Sequence, residues 1–82
     1  MNDDERVARG DRAASLLSAD IFDEALDDLR DCLLGGIESI KTDDTENVMA
    51  IVRQMRSLKQ LKFRLEGWAS EARRLREERE RV

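Results

Sequence analysis

Apolar residues recur along the chain at helical intervals. Phe22, Leu26, Leu29, Leu33, Gly36 and Ile40 advance by alternating steps of four and three, flanked by Ala25, Cys32 and Ile37. This heptad-type seam predicts an amphipathic helix over residues 18–41. A second stripe runs through Val48, Ile51, Val52, Met55, Leu58, Leu61, Leu65, Trp68, Ala72 and Leu75 without a proline, and predicts a long helix over 45–80. Between them, "KTDDTEN" places turn-forming and helix-capping residues, Asp43, Asp44 and Thr45, ahead of Glu46, an acid suited to a helix first turn.

Two adjacent glycines interrupt the first stripe. Gly36 lies on the seam, and Ile37 and Ile40 continue the same face beyond it, so the expectation is an unbroken helix in which Gly36 permits close packing of a neighbour. The alternative is a break into two short helices at Gly35 and Gly36. Ahead of these, residues 1–17 have weak helical periodicity in Val7, Ala14 and Leu17, interrupted by Gly10. They read as a short helix that folds back on the rest or stays mobile until a partner arrives. Ser18, followed by Asp20, Ile21 and Phe22, reads as the N-cap of the next helix.

The expected fold class is therefore all-α: one domain over 1–82, an antiparallel helical hairpin with a long C-terminal helix and a short N-terminal helix. At 1.5 Å per residue the two main helices reach roughly 33 and 50 Å, so the longer one overhangs from about Gly67 and Trp68. The overhang carries Trp68, Ala72 and Leu75. With Leu16 and Leu17 of the first segment they are the candidate interface residues, and a second copy or a larger assembly is the expected cover. Trp68 reads either as a lid on the hairpin core or as an interface anchor, since buried aromatic residues carry a large share of binding energy.

Composition narrows the function classes. The 82 residues include no proline and 41% charged side chains. Large apolar residues are few enough for such a chain that self-association or docking on a larger protein is expected. There is no histidine and no tyrosine, and Cys32 is the single cysteine. The usual general bases, nucleophiles and metal ligands are mostly missing, so no catalytic activity, cofactor or metal is expected. Cys32, among Leu29, Leu33 and Gly36, reads as a small buried hydrophobe in a reducing compartment. No apolar run approaches a membrane span, and the charged N-terminus is unlike a signal peptide, so the expected location is the cytoplasm.

Charge is unevenly placed. Residues 1–44 hold 13 acids and 5 bases, and residues 45–82 hold 6 acids and 10 bases. Asp20, Asp23, Glu24, Asp27, Asp28 and Asp31 recur at spacings that could place two acids on a metal, but a solvated acidic face explains them more simply. Arg53, Arg56, Lys59 and Lys62 advance by threes, and arginines crowd the end of the long helix, which raises a nucleic-acid reading. Against it, the acids of the first long helix are expected to face and neutralise the basic run. The terminal arginines are expected to pair with glutamates four residues away, as in Arg73–Glu77, Arg74–Glu78 and Glu77–Arg81.

The stretch "DRAASLLSADIFDEALDDLRD", the "DDTEN" turn and "VMAIVRQMRSLKQLKFRLEGW", covering about residues 11–68, resemble small acidic helical proteins encoded among head and packaging genes of tailed bacteriophages and prophages. The resemblance rests on an apolar-acidic rhythm and a turn, and transfers no binding residue. It implies a viral context: the host-cell cytoplasm or the virion. The reading that follows is a non-enzymatic protein–protein interaction module of virion assembly, binding itself or a larger assembly. The alternatives are a small DNA-packaging protein resembling a terminase small subunit, or an inhibitor of a host protein acting through the acidic helix.

Overall fold

The computed structural model describes residues 1–41 and 43–81; Thr42, within the expected turn, and the terminal Val82 lie outside the described residues. Three helices follow one another: α1 (Asp3–Leu17), α2 (Asp20–Ser39) and α3 (Thr45–Glu80). The fold is all-α, an antiparallel hairpin with a long C-terminal helix, drawn out to 60 × 24 × 18 Å.

The hairpin has an unusual first arm. Asp4 pairs with Arg79 and Gly10 rests on Ala72, so α1 runs antiparallel to the end of α3. Gly36 faces Ile51, so α2 runs antiparallel to the beginning of α3. One arm is thus α1 followed by α2, about 22 and 30 Å long, and the other is α3 alone, about 54 Å. The break between α1 and α2 comes from Ser18 and Ala19. Ser18 is the C-cap of α1, its hydroxyl donating to the Ser15 carbonyl at 3.0 Å, and Ala19 is extended with φ −81° and ψ 121°. Ser18 therefore closes one helix rather than opening the next. Ala19, which supplies no capping side chain, stands at the N-cap of α2, and Asp20 and Asp23 provide acids in its first turn.

Other helix ends follow the sequence more directly. Asn2 accepts from the Glu5 amide at 2.8 Å, and Asp44 accepts from the Asn47 amide at 3.3 Å, each satisfying an otherwise free amide of a first turn. Helix α2 passes through Gly35 and Gly36 unbroken. A Cβ on Gly35 would meet open space, whereas one on Gly36 would stand 3.2 Å from Ile51 Cδ1.

The core is small and lies mainly at the α1 end. Gly10 and Ala13 of α1 and Leu65, Ala72 and Leu75 of α3 are buried there; along α2 only Leu26 is. Among the glycines the tightest approach is at Gly10, where a Cβ would collide with Ala72 Cβ and the Trp68 carbonyl oxygen. The residue whose helix-weakening character marked α1 as frayed is the one that lets α1 dock. Small side chains on both surfaces bring two helix backbones together and increase the number of dispersion contacts.

Candidate interaction surfaces

The expected overhang is covered from within the chain. Ala72 and Leu75 are buried, and α1 covers them. Leu16 is exposed and borders a hollow shared with Leu65 and Trp68, while half-buried Leu17 borders a second hollow together with Ala69. Trp68 is half-buried.

Trp68 and its neighbours form the most specific side-chain cluster. The Arg9 guanidinium carbon lies 4.5 Å from the centroid of the Trp68 ring, a cation–π stack, and Arg9 Nη2 is 3.4 Å from Glu71 Oε1. Arg9 Nε is buried with no hydrogen-bond partner. Two exposed pairs, Asp4–Arg79 at 2.6 Å and Asp11–Arg76, add fixed points between α1 and α3. Each exposed pair contributes little energy, but together they define a register. These contacts take Arg76 and Arg79 away from the end of α3. Of the three expected i,i+4 pairs, Arg74–Glu78 is formed at 3.1 Å, while Arg73 donates to Ser70 Oγ at 3.3 Å.

Beside this cluster an open groove of about 1040 Å³ runs along the outer side of α3, bordered by Leu61, Phe63, Arg64, Gly67 and Trp68. Phe63 is 76% exposed, a large aromatic side chain left in solvent. Sequence spacing gave no signal for it, because Phe63 falls two residues from both Leu61 and Leu65 and so stands on nearly the opposite side of the helix from their stripe.

The α2–α3 half is packed more loosely. Leu29, placed on the seam by its spacing, remains 48% exposed, and Ile21, Leu34 and Met49 are exposed as well. Cys32 is also exposed, which corrects the expectation of a buried small hydrophobe. The apolar surface of α2 is broader than one neighbour can cover, and Cys32 lies on the side that α3 leaves open. A second groove, of about 610 Å³, opens between the helices, with Val52, Met55 and Leu58 along its floor and Arg30, Arg56, Lys59 and Lys62 at its edges.

The charges do not pair as expected either. Every ion pair between helices among the described residues joins α1 to α3; none joins the acids of α2 to Arg53, Arg56, Lys59 or Lys62. Arg30 pairs with Asp27 of its own helix at 3.3 Å. The helical spacing explains this: the acids lie on the outer and lateral faces of α2, away from the apolar seam that meets α3. Among the described residues no cluster of three or more potential metal ligands is present, and no helix is long and apolar enough to cross a membrane.

Comparisons with known proteins return no matching family model, no matching characterised protein and no matching solved structure.

Proposed function

We propose that this chain is a non-enzymatic helical protein–protein interaction module, an accessory or assembly component of a tailed-bacteriophage particle that acts in the host-cell cytoplasm or in the virion. The observation that carries the interaction reading is the exposure of Phe63 beside Trp68 and Leu61, on a groove whose far wall is held in place by Arg9. Exposed aromatic and aliphatic side chains along one groove are the kind of anchor that helical partners bury. The viral context is supported by the apolar-acidic rhythm of residues 11–68 and its likeness to small phage helical proteins. Affinity capture from the natural host, infected or lysogenic, tests the reading with wild type and Phe63→Asp side by side. A virion or host protein retained by the first and lost by the second is the expected result; identical captures from both overturn Phe63 as the anchor.

A second reading has one observation in its favour. The four cations Arg53, Arg56, Lys59 and Lys62 are unpaired among the described residues, as a phosphate-binding surface of a DNA-packaging protein requires. Binding to duplex DNA that falls steeply with added salt would favour it.

A further inference from the structure

The groove between α2 and α3 carries the same sign of charge on both of its edges. Arg30 stands on the α2 side and Arg56, Lys59 and Lys62 on the α3 side, and no carboxylate lines the groove among the described residues. The three α3 cations have no ion-pair partner among the described residues. Arg30 is held only by its exposed pair with Asp27 at 3.3 Å, which a competing carboxylate can replace at little cost. The floor between the edges is apolar, with Val52, Met55 and Leu58 each half-buried. Val52, Met55, Arg56, Lys59 and Lys62 share one face of α3, so floor and edge continue along a strip roughly 15 Å long, close to three helical turns.

We propose that this groove takes an acidic amphipathic helix of a partner protein, with an apolar stripe on the floor and carboxylates along both flanks of the stripe. A helix suits the space because a groove between two antiparallel helices seats a third, whose side chains pack between theirs. Met55 adapts such a floor to an incoming side chain. The two cationic edges then set the occupant's sequence: apolar residues at i, i+3 and i+7, with Asp or Glu on either side, in the role that e and g positions have in coiled coils. Other occupants satisfy only half of the groove. A phosphate backbone would meet the cations and leave the apolar floor bare, whereas an uncharged apolar helix would cover the floor and desolvate the cations without pairing them. Two copies joined groove to groove would set cation against cation. The groove shares no lining residue with the one beside Phe63. It therefore adds a second, charge-selected contact to the reading of the chain as an association module, on which it rests.

The probe is a fluorescently labelled synthetic peptide of about 18 residues, long enough to be helical, with leucines at i, i+3 and i+7 spacing and glutamates on both flanks. Binding to the full chain is read by anisotropy at physiological salt. The expected result is micromolar binding that weakens by about tenfold or more when the peptide's glutamates become glutamine, and likewise when its leucines become alanine. Arg56→Glu/Lys59→Glu in the protein should weaken it by a similar factor. Arg73→Glu/Arg81→Glu makes the same change of net charge at the far end of α3 and should leave binding within about twofold of wild type. All four sites are exposed, and circular dichroism establishes that each variant is helical. Absence of peptide binding overturns the proposal, and so does an equal loss in both double variants, which would reflect the charge of the whole chain. A wild type that binds a duplex DNA oligonucleotide through Arg56 and Lys59, and not the peptide, assigns the groove to phosphate instead. A wild type with twice the 9.5 kDa chain mass by light scattering that becomes monomeric in Arg56→Glu/Lys59→Glu assigns it to a second copy. A wild type that ignores the peptide yet captures a partner through Phe63 overturns this site alone and leaves the association reading standing.

Discussion

Gly10 lies against Ala72 so closely that no side chain, not even a methyl group, fits between α1 and α3 at that point. The added atom would strike backbone as well as side chain, because the Trp68 carbonyl forms part of the contact surface. Gly10→Ala is therefore expected to destabilise the fold by about 1–3 kcal/mol although alanine favours helix, and Gly10→Leu by more. Urea denaturation midpoints measure this; an unchanged midpoint for Gly10→Leu would mean that α1 is not docked on α3.

Gly35 and Gly67 should respond in the opposite direction. Neither has an atom near the position of a Cβ and both are helical, so Gly35→Ala and Gly67→Ala should each stabilise by about 0.5–1 kcal/mol. Gly36→Ala should be close to neutral, because Ile51 Cδ1 at 3.2 Å is the movable end of a side chain. Gly36→Leu should cost about 1–3 kcal/mol through overpacking. Ranking the four midpoints in one buffer is sufficient, and a stabilised Gly36→Leu would contradict the placement of that face.

Arg9 couples α1 to the Trp68 ring. Arg9→Ala should lose about 1 kcal/mol and leave one face of the indole more exposed, shifting Trp68 fluorescence to longer wavelength. Glu71→Gln should leave the emission maximum near that of wild type, since the stack with the ring persists. An emission maximum unaltered in Arg9→Ala would argue against the stack in solution.

Leu75 and Phe63 are both large apolar residues of α3, and they should differ sharply. Leu75→Ala opens a cavity in the α1–α3 contact and should cost about 2–4 kcal/mol. Phe63→Ser should alter folding stability by about 0.5 kcal/mol or less, because that side chain is already in water. Calorimetric midpoints of the two variants check the contrast, and an equally large loss for Phe63→Ser would place that ring in a core.

The exposed thiol of Cys32 should react with an aromatic disulfide reagent in the folded protein at a rate close to that of the urea-unfolded chain. Protection by more than about tenfold would indicate that something covers that side of α2, whether a second copy or a partner carried through purification.

The parts of the fold that were legible in the sequence are those written in large apolar residues. The stripe from Val48 to Leu75 and the capping residues before Glu46 announce α3, and the seam from Phe22 to Ile40 announces α2. Whether α1 folds back or stays mobile was not legible, because its contact surface is Gly10 and Ala13 against Ala72. Small residues barely register in a hydrophobic pattern, yet close approach depends on their smallness. Cys32 and Leu29 misled for a different reason: a helix with a wide apolar face has two flanks, and periodicity cannot tell which one its neighbour covers. The unpaired acids of α2 follow from the same ambiguity, since opposite net charges on two helices do not imply that the charged edges meet.

The tight grip of α1 on the end of α3 does more than bury Leu75. It joins the two ends of the chain, so that α2 and the first half of α3 lie inside a closed loop rather than on a free arm. An element tethered at both ends meets its docking surface at a high local concentration, and this compensates for an intrinsically weak contact. Helix α2 can therefore keep its place with Leu26 as its one buried side chain. Because α1 and α3 are joined directly, α2 is expected to open from α3 without the chain ends coming apart. Amide hydrogen exchange should record this as fast opening across α2 while the amides around Gly10 and Ala72 stay protected.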